Sequence, residues 1–468
     1  MSLLILLPFV TAACGGGEGT QPSVAGAPLS VAPASPTVAV SLGNPEATPG
    51  TSSTLTWTST NASSCAASGA WDGSRAAAGT EAIIASAPGR YTYTLTCTGA
   101  GGVSSASATL AVNAAAASSP LATWTPPFGL YVGNPNGNDS TAMAQFQGRW
   151  DASVRQLQRQ PQFFGTFTDY SKDWKDWAAN ASWFAWSFNK SNRVAGMKPV
   201  IGVKLSTNAY WNRQNDAFRE VISGKHDDVY RNVVIAWRDQ GFKELRFRIS
   251  YEFNGNFMPD NFGKDKETLD LWKQAFAHVA DVMHDVPGVR VLVVWNPANI
   301  NWSGNSVVAA YPGDEYVDVI SSDIYSTLYP NSLFDWAKGP KAANVMEWAK
   351  TAANRIHFWD YPGATEWTTY GSGWGMVQAL DFALQRNKPF AISETGVGGD
   401  DVKNGLSDDP EFPAYLADRL GNFVKRGGVV DHVIIWDYDA SDGKWRFTDV
   451  PGKAATAAAW TRFVNPQR

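Results

Sequence analysis

Glu244-Leu245-Arg246-Phe247-Arg248-Ile249-Ser250-Tyr251 is a short, largely apolar run that ends against Glu252. Seven runs of the same character follow or precede it: Phe128–Val132, Gln162–Phe167, Pro199–Leu205, Arg290–Trp295, Val317–Tyr325, Pro389–Glu394 and His432–Trp436. Between most of them lie helical patterns with apolar residues three and four apart, at Ala142–Arg159, Asp227–Gln240, Lys266–Asp285, Gly375–Arg386 and Glu411–Arg426. Strands buried on both faces read as continuous apolar runs, so eight alternations of strand and helix predict a closed parallel barrel. The fold class is α/β, a (β/α)8 TIM barrel over Leu121–Arg468 with enlarged loops.

Upstream the pattern changes. From Thr37 to Asn113 short runs alternate with period two (Val38/Val40/Leu42, Leu55/Trp57, Tyr91/Tyr93/Leu95/Cys97, Ala106/Ala108/Leu110/Val112), which predicts half-buried antiparallel strands. In size, and in Trp57 and its two cysteines, this segment resembles an all-β immunoglobulin-like sandwich of bacterial surface proteins, and a spacer role is expected. Gly15–Pro36 lacks large apolar residues and reads as a flexible tether, and Ala114–Pro120 reads as a linker.

Leu3–Phe9 is apolar but too short to span a bilayer, and it precedes Thr11-Ala12-Ala13-Cys14 and a glycine-rich tract. That order resembles a bacterial lipoprotein signal. The resemblance implies lipidation at Cys14, placing the protein at the cell envelope, with ordinary secretion as the alternative. Export to an oxidising compartment makes Cys65 and Cys97 a disulfide pair.

The 468 residues are 44% hydrophobic and 17% charged, which excludes a disordered chain. Lys+Arg 38 against Asp+Glu 43 leaves a net charge of −5, giving no electrostatic basis for nucleic-acid binding. Aromatic residues reach 13%, with 21 Trp, and rings of this kind exposed in a groove suit neutral sugars.

Function in such barrels lies at the C-terminal ends of the strands. The fourth and seventh runs both end in a glutamate, Glu252 and Glu394. A carboxylate at the tip of an apolar strand is costly unless something uses or pairs it. Two carboxylates across a barrel mouth suit retaining glycoside hydrolysis, one as acid/base and the other as nucleophile.

At this point a resemblance becomes specific. Arg248-Ile249-Ser250-Tyr251-Glu252-Phe253-Asn254-Gly255-Asn256-Phe257-Met258-Pro259 resembles the acid/base segment of glycoside hydrolase family 26. Tyr311-Pro312-Gly313-Asp314-Glu315-Tyr316-Val317-Asp318-Val319-Ile320, followed by Asp323-Ile324-Tyr325, is similar to a second segment of that family, and Ser393-Glu394-Thr395-Gly396 to its nucleophile segment. The resemblance implies Glu252 as acid/base and Glu394 as nucleophile, with a raised pKa for the first and a low one for the second. It also implies that Tyr325 and Arg248 support Glu394 and that Trp436 lies under the sugar. Tyr251, Asn254, Phe257 and Asp323 are expected to bind substrate or support the site, and Trp295, at the end of the fifth run, either to offer a neighbouring platform or to sit in the barrel core. Three positions depart from the family pattern: Tyr251 replaces a His, Phe257 a Trp, and Asp260 an aromatic residue.

The family is best known for endo-β-1,4-mannanases and also contains β-1,3-xylanases and mixed-linkage glucanases. A hydrolase of the cell's own exopolysaccharide is a further alternative, and a silent polysaccharide-binding lipoprotein one of another class. Of five His, His278 and His284 share a helix without a further pair at ligand spacing, so neither metal nor cofactor is expected. Gly371-Ser372-Gly373-Trp374-Gly375 reads as a loop with Trp374 near the cleft, and Asn136-Gly137-Asn138-Asp139 as a turn. The expected partner is polysaccharide, met by a monomer that touches membrane only through Cys14.

Overall fold

The computed structural model describes residues 33–47, 52–84, 89–112, 124–169, 171–299, 305–326, 351–360, 374–398, 406–440 and 443–467. The signal segment with Cys14, the tether up to residue 32, the linker at 114–120 and the glycines of 371–373 lie outside them. The chain divides into two compact units, Met1–Ala117 and Ser118–Arg468. No described helix is long and apolar enough to cross a membrane.

Among its described residues, the first unit is built from strands. Thr37–Leu42, Ser52–Thr60 and Ala78–Ile84 form one antiparallel sheet, and Glu46–Ala47, Gly102–Val112, Gly89–Gly99, Ser64–Gly69 and Gly73–Arg75 form a second, antiparallel except for the parallel pairing of Glu46–Ala47 with Gly102–Val112. Their period-two patterning buries Leu55, Trp57, Tyr93, Leu95, Leu110 and Val112 in one core, where Trp57 meets Trp71 edge-on at 5.1 Å. Cys65 and Cys97 are bonded, and they face each other on adjacent strands of the same sheet. The bridge therefore staples one strand pair.

In the second unit eight parallel strands close on themselves. They are β1 (Phe128–Tyr131), β2 (Phe163–Phe167), β3 (Lys198–Val203), β4 (Glu244–Ile249), β5 (Arg290–Trp295), β6 (Val319–Ser321), β7 (Phe390–Gly396) and β8 (Val430–Trp436). Each pairs with the next, and β8 pairs with β1. The expected single run Val317–Tyr325 is split: after β6 the chain steps away at Ser322 and Asp323, and Ile324–Tyr325 rejoins the edge of β7. The five expected helices are present as Ser140–Leu157, Asp227–Asp239, Lys266–His284, Met376–Arg386 and Glu411–Lys425. Trp174–Lys190, Gln214–Ile222, Ala352–Asp360 and Ala454–Val464 are additional.

Alternation along the strands divides the side chains. Leu245, Phe247, Ile249, Val293 and Trp295 join the large core beneath the helices. Leu292 and Val294 instead pack with Val319 and Ala391 inside the barrel, while Phe163, Val200 and Ile434 form a second interior cluster. Between these small clusters the interior is polar. Arg246 makes a two-pronged ion pair with Asp431 at 2.5 and 2.8 Å, the arrangement that makes a buried guanidinium tolerable.

Candidate active site

Glu394 reaches the barrel mouth through a break in strand register. Ile392 lies beside Val433 and Thr395 beside Ile435, so β7 uses three steps where β8 uses two. Ile392 packs outward, and both Ser393 and Glu394 turn inward. One turn lower β8 carries the complementary excess: Phe390 pairs with Val430 and Ile392 with Val433, which sends Asp431 and His432 inward together. The two bulges cancel, and register is restored above them. They are tied to each other, because His432 shares hydrogen bonds with Asp431 at 2.7 Å and with Ser393 at 2.9 Å. Ser393 in turn bonds Ser321 on β6 at 2.8 Å. Burial pulls the His432 imidazole below its ordinary pKa, against the opposing pull of Asp431.

Glu252 is positioned differently. It follows β4 in a tight turn in which Ser250 and Glu252 both adopt left-handed backbone, with φ of 51° and 54°. Non-glycine residues held there carry strain that the surroundings must offset. Here the Ser250 N–H donates to Val203 C=O at 2.7 Å, the Glu252 N–H to Asn296 C=O at 2.8 Å, and the Trp272 indole to Ser250 Oγ at 3.0 Å.

These two glutamates and Asp323 meet at one point, each with a carboxylate oxygen within 4.8 Å of the others. Arg248, on the inner face of β4, supplies the positive charge of this cluster. Its Nη2 donates to Glu394 Oε1 and to Asp323 Oδ2, both at 2.5 Å, and its Nε donates to Asn296 Oδ1. Tyr325 donates to Glu394 Oε2 at 2.9 Å, so each oxygen of that carboxylate has a donor. Burial alone would lower the Arg248 pKa, but Asp323 and Glu394 more than reverse this and raise it above its usual range. For Asp323 burial prevails over Arg248, with Glu394 and Glu252 adding to it, and its pKa is pushed well up. Tyr325 is likewise raised, first by burial and then by Glu394, which keeps its hydroxyl a donor.

Of the other expected site residues, Trp436 lies half-buried at the mouth and packs against Tyr131 at 4.0 Å between ring centres. Asn254 exchanges hydrogen bonds with the Ala298 backbone in both directions, which holds the loop after β4 against that after β5. Tyr251 is buried, whereas Phe257 is 42% exposed. Of the two places open to Trp295, the structure takes the core, which corrects its expectation as a sugar platform. As the residue after inward-facing Val294 it points outward, is fully buried, and packs on Phe253, Tyr311, Trp374 and Phe382, leaving no face for a sugar. Trp374 is in that same core and does not line the cleft. Asn136–Asp139 forms the entry to the first helix, where Asp139 caps the N–H groups of Thr141 and Ala142.

Asn296, Tyr131 and Lys204 are site residues that the sequence reading passed over. Asn296 and Lys204 directly follow β5 and β3, and Tyr131 ends β1. Reading every strand end, and not only those bearing carboxylates, would have found all three.

The fold and site thus define a parallel β/α barrel with a carboxylate cluster at its C-terminal mouth. A family model, glycosyl hydrolase family 26, matches residues 234–355, a span that holds Glu252 and ends before Glu394. A mannan endo-1,4-beta-mannosidase of Bifidobacterium adolescentis is 25% identical over 183 residues, 38% of this chain, and the chain spans 15% of that relative's length. Among solved structures, a double mutant of the Cellulomonas fimi endo-beta-1,4-mannanase is 19% identical, over 73% of this chain and 68% of that one, with a TM-score of 0.44. A structure titled GH26C from Muricauda sp. MAR_2010_75 is 16% identical, over 67% and 80%, with a TM-score of 0.41.

Proposed function

We propose that this protein is a retaining endo-glycosidase that hydrolyses a β-linked polysaccharide, with a mannan-type backbone as first candidate. The observation that carries this reading is the cluster of Glu252 and Glu394 with oxygens within 4.8 Å, since retaining enzymes hold their carboxyl pair about 5–5.5 Å apart. In the first step a Glu394 oxygen bonds to the anomeric carbon while the glycosidic bond breaks and Glu252 protonates the departing oxygen. In the second, water attacks the same carbon, Glu252 takes its proton, and the bond to Glu394 breaks. Arg248 and Tyr325 fix the Glu394 carboxylate for in-line attack, and Trp436 offers the sugar an apolar face. The mannan assignment is drawn from the resemblance and from the names of the similar proteins. Tyr251 and Phe257, where the family pattern has His and Trp, keep β-1,3-xylan, mixed-linkage glucan and bacterial exopolysaccharide as alternatives.

The barrel would be carried on an immunoglobulin-like spacer and a tether from lipidated Cys14, as an exported monomer at the cell envelope. Reducing-sugar release from glucomannan, galactomannan, β-1,3-xylan, β-1,4-xylan and mixed-linkage glucan tests the proposal, using the full chain beside Glu252→Ala and Glu394→Ala. Activity on one polymer that both variants lose is the expected result. A folded Glu394→Ala protein with near-normal turnover would refute the nucleophile assignment.

A further inference from the structure

Behind Glu252 sits an ion pair that the mechanism above does not use. Lys204, the residue after β3, and Asp260 both have fully buried side chains and lie 3.4 Å apart. A buried lysine is costly, and replacing such a pair by apolar groups is often neutral or stabilising, so its presence invites a search for what it holds. Lys204 Nζ donates to the Tyr251 C=O at 2.5 Å and lies 3.6 Å from the centre of the Tyr251 ring. Asp260 accepts the Leu205 N–H at 2.8 Å, and its own carbonyl accepts from Ser250 Oγ at 3.3 Å. One ammonium therefore ties together both ends of the loop 251–260 that carries Glu252.

The decisive contact is with the Tyr251 carbonyl, because that carbonyl and the Glu252 N–H belong to one peptide plane. The N–H end is held by Asn296 C=O and the C=O end by Lys204. A peptide plane gripped at both ends sets the direction from which the Glu252 side chain departs, and this is the residue with φ of 54°.

We infer that Lys204, braced by Asp260, is a positioning residue that aims Glu252 at the glycosidic oxygen. The inference rests on the acid/base role proposed for Glu252. A mispositioned acid has a distinctive signature. Dinitrophenolate leaves the anomeric carbon without a proton, whereas a sugar alkoxide needs one, so only the latter departure depends on Glu252. In the second step azide can attack the anomeric carbon as the Glu394 ester breaks, with no proton to surrender, and so bypasses the same residue.

The test compares the full chain, Glu252→Ala and the charge-neutral pair Lys204→Met/Asp260→Asn, which leaves no unpaired buried charge. Lys204→Arg serves as a conservative variant, and circular dichroism verifies folding. Substrates are the polymer cleaved in the panel above and the 2,4-dinitrophenyl β-glycosides of mannobiose and cellobiose. General acid–base assistance contributes about 10²–10⁴-fold, and partial misplacement should forfeit about 10- to 100-fold of kcat/KM on the polymer. Bond cleavage in the dinitrophenyl substrates should change by less than about 3-fold. Azide should accelerate turnover of the variant and yield a glycosyl azide, with Lys204→Arg in between. If Glu252→Ala shows this pattern and the neutral pair loses both substrate kinds equally, or neither, the positioning role is overturned. If Glu252→Ala itself lacks the pattern, or the full chain turns over no substrate, the acid/base reading beneath it falls.

Discussion

Tyr325→Phe removes a single hydrogen bond, the 2.9 Å donation from Tyr325 Oη to Glu394 Oε2. The ring remains, and with it the packing on Trp445 at 4.5 Å and Trp436 at 6.3 Å. Arg248 still holds the other carboxylate oxygen, so the nucleophile loses one of two restraints. A hydrogen bond to a charged group is worth about 1.5–3 kcal/mol. If that energy is realised mainly in the transition state, where Glu394 must approach the anomeric carbon in line, kcat/KM should fall roughly 10- to 150-fold. Because Glu394 is buried and one of its oxygens is left without a donor, folding stability should also fall, by about 1–3 kcal/mol, while the packing of the ring keeps the protein folded. Steady-state kinetics on the cleaved polymer, with urea denaturation of the same samples, measure both. Turnover within about 2-fold of the parent would refute the argument that the Tyr325 hydroxyl positions the nucleophile. Loss of activity only in proportion to the fraction unfolded would refute it equally, by reducing the effect to unfolding.

Arg248→Met should cost about 3–5 kcal/mol in urea denaturation, because it leaves Asp323 and Glu394 facing each other without their shared cation. Acid should weaken the barrel through His432, whose folded-state pKa lies below its ordinary 6.5. Below that value the unfolded chain takes up a proton that the native imidazole refuses, so stability present above about pH 6.5 is lost as pH falls. Urea midpoints between pH 7.5 and 5.5 should therefore decline, and His432→Asn should flatten that slope. Reducing the Cys65–Cys97 bridge, which closes a 32-residue separation, should destabilise the N-terminal unit by about 3–4 kcal/mol, read as a lowered melting transition in dithiothreitol.

The barrel was readable because its strands carry enough apolar residues to stand out as runs, even where Arg246, Arg248 and His432 face a polar interior, and Glu252 and Glu394 stood out against them. Trp174–Lys190 was passed over although Trp174, Trp177, Ala181, Ala185 and Phe188 follow helical spacing, because aromatic residues also crowd its other faces. Position at a strand end suggests the mouth for Trp295 as readily as the core. Counting alternate residues from Val294 would have turned it outward, since facing is a matter of parity and not of height along the strand. The bulges at Ser393–Glu394 and Asp431–His432 had no signal of their own in the sequence. Register depends on the neighbouring strand, and a single strand read alone carries no record of it.

Those paired bulges also bear on how this scaffold tolerates change. Lengthening a loop above the barrel leaves the strands in phase, but adding or deleting one residue in β7 below Glu394 would rotate its carboxylate toward the helices. The same edit in β8 would break the cancellation that restores register above it. For anyone recombining segments between barrels, β7 and β8 are therefore a single exchange unit: crossover points belong before Pro389 or after Trp436, never between them.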